Sequence, residues 1–258
     1  AVFGTNSEAN SLSTEEKSEL LAGLVAAGVN PGSMMPGTGS CSLTDAVRLT
    51  STAVNLGCRG VLMLPPFYYK NVSDEGLYRF YAEVIQRVGD QRLQIYLYHI
   101  PPVSNVPLSL SLVQRLVRDF PETIAGIKDS SGNWQNTLAL LQAGLDDFRV
   151  FCGSESFLLQ TMRHGGAGCI SATVNVNPTG IRRLYEHYTD PDADQRQADL
   201  DQLRGIYQNL PMIPALKSTL ARFNKDPEWH RLRPPLLALD AQQREQLGNQ
   251  LASLGFTL

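Results

Sequence analysis

The chain has 258 residues, of which 43% are hydrophobic, and its 22 basic and 25 acidic residues give a net charge of -3. A chain of this size can bury a full core, and its slightly acidic balance offers no basic field for nucleic acid. No apolar stretch reaches the ~20 residues that span a bilayer, and no signal peptide is visible. These features predict a soluble, cytoplasmic protein without nucleic-acid or membrane partners.

Short apolar runs alternate with amphipathic segments over most of the chain. Strands are predicted at residues 60–64, 94–98, 123–128, 148–152 and 168–171, with a weaker candidate at 32–36. Helices are predicted at residues 14–28, 43–56, 74–88, 108–119, 134–145, 155–164 and 178–189. The first helix begins with Ser13 and then Glu16, which is typical of a capping box. Repeated strand–helix pairs predict parallel strands joined by crossover helices.

Polar residues follow several predicted strands, as at Tyr98-His99, Lys128-Asp129 and Gly153-Ser154-Glu155. A (β/α)8 TIM barrel has its active site at these strand ends, so the pattern favours that fold. A doubly wound open sheet is the alternative, but no G-x-G-x-x-G loop supports it. We predict an α/β TIM barrel over residues 1–190 and a C-terminal helical extension over residues 191–258.

The two ends of the chain carry further expectations. Residues 1–4 read as the end of a strand, and about seven β/α units follow, one fewer than a closed barrel requires. We therefore expect the first β/α unit to be missing from this sequence. In the tail, breaks between helices are expected at Pro211, Pro214 and Pro234-Pro235.

Cysteine and histidine give little support to metal chemistry. The four cysteines are Cys41, Cys58, Cys152 and Cys169, and no two form a C-x-x-C pair. They lie in or beside apolar segments, which favours buried thiols over disulfides or a metal site. The histidines lack ligand spacing, and His99 should pack on the strand face opposite Tyr98. No metal site is predicted.

Lys128 is the most informative residue. The chain has five lysines, at 17, 70, 128, 217 and 225, and only Lys128 closes a β-like run. Burial disfavours the charged form of an amine, and the neutral form attacks carbonyl carbons. Taken alone, a strand-end lysine that reaches solvent is the simpler interpretation. The motifs around Lys128 reverse that preference.

Four segments carry a resemblance to a known family. They are Gly4-Thr5-Asn6-Ser7-Glu8, Tyr98-His99-Ile100-Pro101, Gly126-Ile127-Lys128-Asp129-Ser130-Ser131-Gly132 and Gly168-Cys169-Ile170-Ser171. In this order they resemble the dihydrodipicolinate synthase / N-acetylneuraminate lyase family of class I aldolases, over essentially the whole chain. The resemblance implies that Lys128 forms a Schiff base with a 2-oxo acid, usually pyruvate, and that an aldehyde is the second partner. It implies no metal or organic cofactor.

The resemblance also assigns roles around Lys128. Tyr98 would move protons, and Thr5 and Asn6 would hold the pyruvate carboxylate, although Asn6 and Ser7 depart from the family pattern G-T/S-T-G-E. Tyr68 matches the tyrosine that enters the neighbouring subunit's site, which implies a homodimer or homotetramer. The hydroxyls of Tyr68, Thr5 and Tyr98 would then form a catalytic relay that moves protons to solvent. Read locally, Gly-Thr-Asn-Ser is also a favourable turn, and Tyr68 also fits an exposed aromatic loop.

Residues at the later strand ends are candidates for substrate selection. Ser154 and Glu155 could hydrogen-bond a polyhydroxylated chain, but Glu155 equally fits a carboxylate at a helix N-terminus. Ile170 and Ser171 are expected to supply backbone contacts to the 2-oxo acid.

Val103 narrows the expected activity. It stands where dihydrodipicolinate synthases have the arginine that binds the second substrate's carboxylate, and valine cannot form that bidentate pair. The sequence therefore favours a 2-oxo acid aldolase or lyase. The alternatives are a 2-oxo-3-deoxy sugar acid dehydratase, a 4-hydroxy-tetrahydrodipicolinate synthase acting through the same imine, and a catalytically silent 2-oxo acid-binding homologue.

Overall fold

The computed structural model describes residues 1–257, which form two compact units, Ala1–Gly153 and the chain from Ser154 onward. The first unit contains four strands, which are β1 (Val61–Met63), β2 (Ile95–His99), β3 (Ile124–Asp129) and β4 (Arg149–Cys152). They pair in the order β1-β2-β3-β4, and every pair is parallel. The four predicted strands and their parallel arrangement are confirmed to within one residue at each end.

Six helices accompany these strands in the first unit. They are α1 (Thr14–Ala26), α2 (Leu43–Asn55), α3 (Asp74–Val88), α4 (Pro101–Ser104), α5 (Leu110–Asp119) and α6 (Trp134–Leu141). The predicted capping box of α1 is confirmed, since the Ser13 hydroxyl accepts the Glu16 N–H at 3.1 Å and the Glu16 carboxylate accepts the Ser13 N–H at 2.9 Å. These bonds satisfy two of the amide groups that a helix start leaves without partners.

The second unit is mainly helical. It contains the short strand β5 (Gly168–Cys169) and the helices α7 (Leu158–Arg163), α8 (Pro178–Glu186), α9 (Ala193–Gln208), α10 (Met212–Asn224) and α11 (Ala241–Ser253). The predicted helix at 155–164 is divided into a 3-10 turn, Glu155–Phe157, and α7. The predicted boundary between barrel and tail at residue 190 stays a proposal. Among residues 1–257, no helix has the length and apolar character needed to cross a membrane.

The predicted strand at residues 32–36 is wrong. Pro31–Ser33 forms a 3-10 helix, and the following residues pair with the sheet only through an isolated bridge from Gly37 to Leu62. Two prolines explain this result, because Pro31 favours a helical turn and Pro36 has no N–H for a ladder. Pro36 contributes only its carbonyl oxygen, which accepts the Leu62 N–H at 2.9 Å.

Residues 1–4 likewise do not form a strand. Phe3 has a φ of 60°, in the left-handed region, which is incompatible with extended pairing. A backbone hydrogen bond joins this segment to the residue that bridges to β1: the Gly37 N–H donates to the Val2 carbonyl oxygen at 2.7 Å. The expectation of a strand end rested on apolar character alone, which does not distinguish a strand from a buried turn.

Pro214 does not break a helix as predicted. It is the third residue of α10, where the amide group of any residue would lack an intrahelical acceptor. A proline at that position therefore removes no hydrogen bond. Pro211 and Pro234-Pro235 do lie outside helices, in agreement with the prediction.

The prediction of buried thiols is confirmed for some of the four cysteines. Cys152 is buried at the end of β4, and Cys58 is partly buried, which raises the pKa of its thiol. Cys41 is exposed, contrary to expectation. It immediately precedes Ser42, the N-cap of α2, so its backbone serves a surface turn.

Gly126 allows β3 to pack against its neighbours. A Cβ at this position would lie 2.3 Å from the Arg149 carbonyl oxygen and 2.8 Å from Tyr96 Cδ1. We expect Gly126→Ala to reduce the free energy of unfolding by about 2–3 kcal/mol, because the sheet must shift to admit the methyl group. Urea unfolding followed by circular dichroism measures the change.

The matched control is Gly23→Ala in α1, where no atom lies within 4 Å of the added Cβ. That change should raise stability by roughly 0.5–1 kcal/mol, because alanine has the higher helix propensity. Equal effects of the two substitutions would contradict the steric explanation for Gly126.

Candidate active site

Lys128 lies buried near the carboxyl end of β3, with 6% of its surface exposed. The parallel register places it opposite Tyr98 of β2, and its Nζ lies 4.1 Å from the centroid of the Tyr98 ring. Register partners on adjacent strands project from the same face of a sheet. The lysine is therefore an interior residue that contacts an aromatic face, and it does not extend into solvent.

Tyr98 connects Lys128 to the first turn of the chain. Its side chain is 3% exposed, and its hydroxyl lies 3.0 Å from Thr5 Oγ1, with either group able to donate. Thr5 begins a 3-10 helix, Thr5–Ser7, although it is 93 residues distant in sequence from Tyr98. Three of the predicted catalytic residues are thus in one cluster, which we call the lysine–hydroxyl cluster (Lys128, Tyr98 and Thr5).

The next residues along the same two strands face the other side of the sheet. His99 is buried, and its Nδ1 accepts the Leu108 N–H at 3.0 Å, which confirms the predicted packing role. Burial lowers the pKa of His99, and Asp129, whose Oδ1 lies 4.0 Å from His99 Nε2, opposes that shift. The alternation of strand side chains places reactive groups on one face and supporting groups on the other.

Asp129 is the supporting residue that sequence reasoning missed. Its buried carboxylate accepts three hydrogen bonds, from the Ser131 N–H at 3.0 Å, Asn136 Nδ2 at 3.1 Å and Thr137 Oγ1 at 2.6 Å. These bonds tie the end of β3 to the start of α6. In the sequence, the only indication of this role was an acidic residue directly after Lys128. The hydrogen-bond partners of Asp129 could be identified only from the fold.

The other site residues predicted in the first unit are more exposed to solvent than the lysine–hydroxyl cluster. Tyr68 is 74% exposed and contacts Tyr69 edge to face, with ring centroids 5.4 Å apart. Within residues 1–257 its hydroxyl makes no hydrogen bond to Thr5 or Tyr98. Val103 is 62% exposed in α4, and Asn6 is partly buried in the 3-10 turn after Thr5. The substrate roles predicted for these residues stay predictions.

In the second unit, Glu155 is 1% exposed and its carboxylate is occupied by residues of that unit. The hydroxyls of Ser171 and Thr173 donate to its two oxygens, and Arg204 forms an ion pair with it at 3.3 Å. Ser154 caps the 3-10 turn by accepting the Ser156 N–H at 3.3 Å. Sequence reasoning missed Arg204 as a partner of Glu155. Contacts of Ser154, Glu155, Ile170 and Ser171 with a substrate remain predictions.

Comparison with known proteins gives a consistent result. The model of the Dihydrodipicolinate synthetase family matches residues 1–254. A 4-hydroxy-tetrahydrodipicolinate synthase of Thermus thermophilus is 33% identical over 252 residues, covering 96% of this chain and 82% of that protein. An uncharacterized DapA-like lyase of Chloroflexus aurantiacus is 31% identical over 243 residues, covering 93% and 80%.

Solved structures give the same result. The dihydrodipicolinate synthase of Agrobacterium tumefaciens superposes with a TM-score of 0.90 at 33% identity, covering 98% of this chain and 86% of that one. A prophage protein of the dihydrodipicolinic acid synthase family from E. coli, in complex with pyruvate, gives a TM-score of 0.88 at 25% identity, covering 99% and 86%.

These findings define the class of protein. The fold is an α/β TIM barrel with a C-terminal helical region, as predicted, and proteins of this group are lyases. The chain belongs to the Dihydrodipicolinate synthetase family.

Proposed function

We propose that this protein is a class I aldolase or lyase in which Lys128 forms a Schiff base with pyruvate or another 2-oxo acid. The observation that carries the proposal is the lysine–hydroxyl cluster. It combines a buried amine with two hydroxyls that are hydrogen-bonded to each other at 3.0 Å. A buried amine is a good nucleophile when neutral, and adjacent hydroxyls can transfer the protons that imine formation requires.

The proposed reaction begins with formation of the imine. The Lys128 amine attacks the ketone carbon of the 2-oxo acid, and the carbonyl oxygen receives a proton from the hydroxyl pair. The resulting carbinolamine loses water to give the protonated imine. The deprotonated hydroxyl pair then takes a proton from the adjacent carbon, which gives an enamine. The enamine adds to an aldehyde to form a C–C bond, and the hydroxyl pair returns the proton to the aldehyde oxygen; the reverse sequence cleaves the bond. Hydrolysis of the imine then releases the 2-oxo acid and restores the amine.

The protein groups have separate tasks in this sequence. Tyr98, whose ring lies 4.1 Å from the amine, is the proposed proton donor and acceptor, and the hydrogen bond with Thr5 orients the Tyr98 hydroxyl. The imine itself accepts electrons from the breaking or forming C–C bond, so the proposal requires neither a metal nor an organic cofactor. The relative from E. coli that was solved with pyruvate supports pyruvate as the 2-oxo acid.

A second candidate function is 4-hydroxy-tetrahydrodipicolinate synthase. It is favoured by the relatives of that name, including the Thermus thermophilus protein. Val103 argues against it, because its aliphatic side chain cannot bind a carboxylate as an arginine would. We therefore rank an aldolase or lyase with another aldehyde first. The synthase, the sugar-acid dehydratase and the silent homologue remain as alternatives to be tested.

Trapping the imine tests the proposal directly. The protein is incubated with pyruvate and sodium borohydride, digested, and mapped by mass spectrometry. We expect one reduced pyruvate adduct, on Lys128, and no adduct when pyruvate is omitted. Absence of the adduct would support the silent homologue.

A screen of 2-oxo acids then separates the activities. Released pyruvate indicates a lyase, whereas a product that has lost only water indicates the dehydratase.

Tyr98→Phe tests the proton-transfer role. Loss of the hydroxyl should reduce kcat by about 10²–10⁴-fold, the usual contribution of general acid–base catalysis. The matched control is Tyr96→Phe on the same strand, whose hydroxyl accepts from Arg149 NH1 at 3.1 Å and lies outside the cluster. The control should change kcat little. If the two variants lost equal activity, the effect would be structural.

We further propose that Tyr68 completes the cluster of a neighbouring subunit in a homodimer or homotetramer. Its exposed ring, beside the exposed Tyr69, suits a residue that is covered by a partner. Mixing inactive Tyr68→Phe and Lys128→Ala variants should restore activity in hybrid oligomers, because one site in each hybrid is then intact. Hybrids without activity would contradict the crossing of the interface.

A further inference from the structure

A cavity of about 270 Å³ in the second unit is lined by residues of α10, of α11 and of the 3-10 helix Pro227–His230. Its volume approaches the roughly 300–1,000 Å³ of small-molecule sites. Four basic residues line it, and no acidic residue of the described range 1–257 does so. The basic residues are Arg222, Lys225, His230 and Arg244. None of them has a task in the proposed Schiff-base reaction, so the cavity requires a separate explanation.

Ser218 provides an unpaired hydroxyl at this cavity. It belongs to α10, lines the cavity and is only 6% exposed. Buried hydroxyls nearly always have a hydrogen-bond partner, and the adjacent Thr219 has two, the Ala215 carbonyl at 3.0 Å and the Tyr207 hydroxyl at 2.9 Å. Within residues 1–257 the Ser218 hydroxyl makes no hydrogen bond. A buried donor without a partner in a cavity wall indicates that a bound molecule supplies its acceptor.

The Arg222 guanidinium has a defined position in the same cavity. Arg222 follows Ser218 by four residues in α10, so the two side chains are neighbours on one face of that helix. Across the cavity wall, the guanidinium lies against Gly248 of α11, where a Cβ would be 1.9 Å from Arg222 Nη1 and 3.0 Å from Arg222 Cζ. Any larger residue at position 248 would therefore displace the guanidinium.

Gly248 has no other evident reason to be glycine. It lies inside α11 (Ala241–Ser253), its φ is negative, and glycine is among the least favourable residues in a helix interior. The space that it leaves open is occupied by the charged end of Arg222. The helix thus carries an unfavourable residue at the one point where it admits this cation to the cavity.

The cations of the cavity lack acidic partners. Arg222, Lys225 and Arg244 form no ion pair within residues 1–257, and the Nη1 of Arg244 donates instead to the Leu239 carbonyl at 3.0 Å. All three residues are accessible to solvent, so an ion can reach them. Cations that share one cavity repel one another, and an anion placed among them removes that cost.

The neighbouring acids are engaged elsewhere. The Asp226 carboxylate accepts the Glu228 N–H at 3.0 Å, and the Asp240 carboxylate accepts the Gln243 N–H at 2.8 Å. Glu228 itself forms an ion pair with Arg231 at 2.5 Å. The positive charge of the cavity is therefore available to a ligand.

We propose that this cavity binds a phosphate group, either as the free ion or as part of a small phosphate monoester. Guanidinium groups form paired hydrogen bonds with phosphate oxygens. A tetrahedral phosphate also directs oxygens to several sides at once, so it can accept from Arg222, Arg244, Lys225 and Ser218 together. A carboxylate has only two oxygens in one plane, and it would leave some of these donors unpaired. The site is independent of Lys128 and of the proposed function.

Isothermal titration calorimetry with inorganic phosphate tests the proposal. The wild-type protein is titrated in a chloride buffer, and acetate at the same ionic strength is the comparison ligand. We expect saturable binding of one phosphate per chain and much weaker binding of acetate. A wild-type protein that shows no saturable heat with phosphate, or the same heat with acetate, would overturn the proposal.

Substitutions then locate the site. Arg222→Met should weaken phosphate binding by about 10–100-fold and Ser218→Ala by about 3–10-fold, since hydrogen bonds to a charged group are lost. The control Arg79→Met removes the same charge from an exposed surface pair with Glu75 and should leave the affinity within about twofold. Equal affinities of Arg222→Met and Arg79→Met would overturn the site.

Gly248→Ala is the sharpest variant, because it removes no charge and no donor. The added methyl group displaces the Arg222 guanidinium, so we expect phosphate affinity to fall by about 5–20-fold, while the helix itself is favoured by alanine. Circular dichroism checks that the helices are retained. Unchanged affinity in folded Gly248→Ala would overturn the placement of phosphate at Arg222.

A second titration, with glycerol 3-phosphate, distinguishes the two sources of the phosphate group. Tighter binding than that of inorganic phosphate, lost in parallel in Gly248→Ala, supports a phosphate monoester as the ligand. Equal or weaker binding supports the free ion.

Discussion

Lys128→Ala is expected to reduce turnover of a 2-oxo acid by on the order of 10⁴-fold or more. Imine formation is the step that makes the substrate carbon acidic, and the remaining hydroxyls of Thr5 and Tyr98 cannot accept an electron pair in its place. Adduct mapping should find no reduced pyruvate at position 128. Stopped assays with high enzyme concentration can measure the residual rate.

Lys128→Arg is the control that separates charge from nucleophilicity. Arginine keeps a cation near the Tyr98 ring, but its guanidinium stays protonated and does not form the imine. We expect the same loss of turnover as in Lys128→Ala. If Lys128→Arg retained a tenth of the wild-type kcat, the lysine would act by its charge, and the Schiff-base proposal would be wrong. Thermal unfolding of both variants excludes loss of fold as the cause.

The strands near Lys128 could be predicted because each of them is marked by the apolar character of a few consecutive residues. β2 and β3 are buried at every residue, so they appear in the sequence as short, continuous apolar runs. The end of each run then places Tyr98 and Lys128 at the same edge of a parallel sheet. Their direct pairing follows from the register, which the fold determines.

Other features depend on contacts between distant segments and could not be predicted. Lys17 has the residue type and helix position of a surface lysine, and its burial results from the packing of α1 against residues far along the chain. The hydrogen bond of Thr5 to Tyr98 was expected only through the family resemblance. The ion pair of Glu155 with Arg204 spans 49 residues, beyond the reach of any periodicity argument.

The largest expected effect on stability comes from Asp129→Ala. The carboxylate is buried and is the shared acceptor for Ser131, Asn136 and Thr137. Alanine would leave donors without partners, including the Thr137 hydroxyl, which is 1% exposed. Each orphaned buried donor costs about 1–3 kcal/mol, so we expect a loss of roughly 3–5 kcal/mol in the free energy of unfolding, measured by urea denaturation.

Asp129→Asn provides the graded comparison. The amide oxygen of asparagine can still accept from two of the three donors. The amide NH₂ group replaces the second carboxylate oxygen and faces the third donor without being able to accept from it. We therefore expect a loss of unfolding free energy between those of the wild type and Asp129→Ala. The surface acid Asp119, which pairs with Arg118 at 3.0 Å, is the matched control, and Asp119→Ala should change stability little. Equal stability of Asp129→Ala and Asp119→Ala would mean that the donors find other partners. In that case the network around Asp129 would not hold the end of β3, and Lys128 would owe its position to the sheet alone.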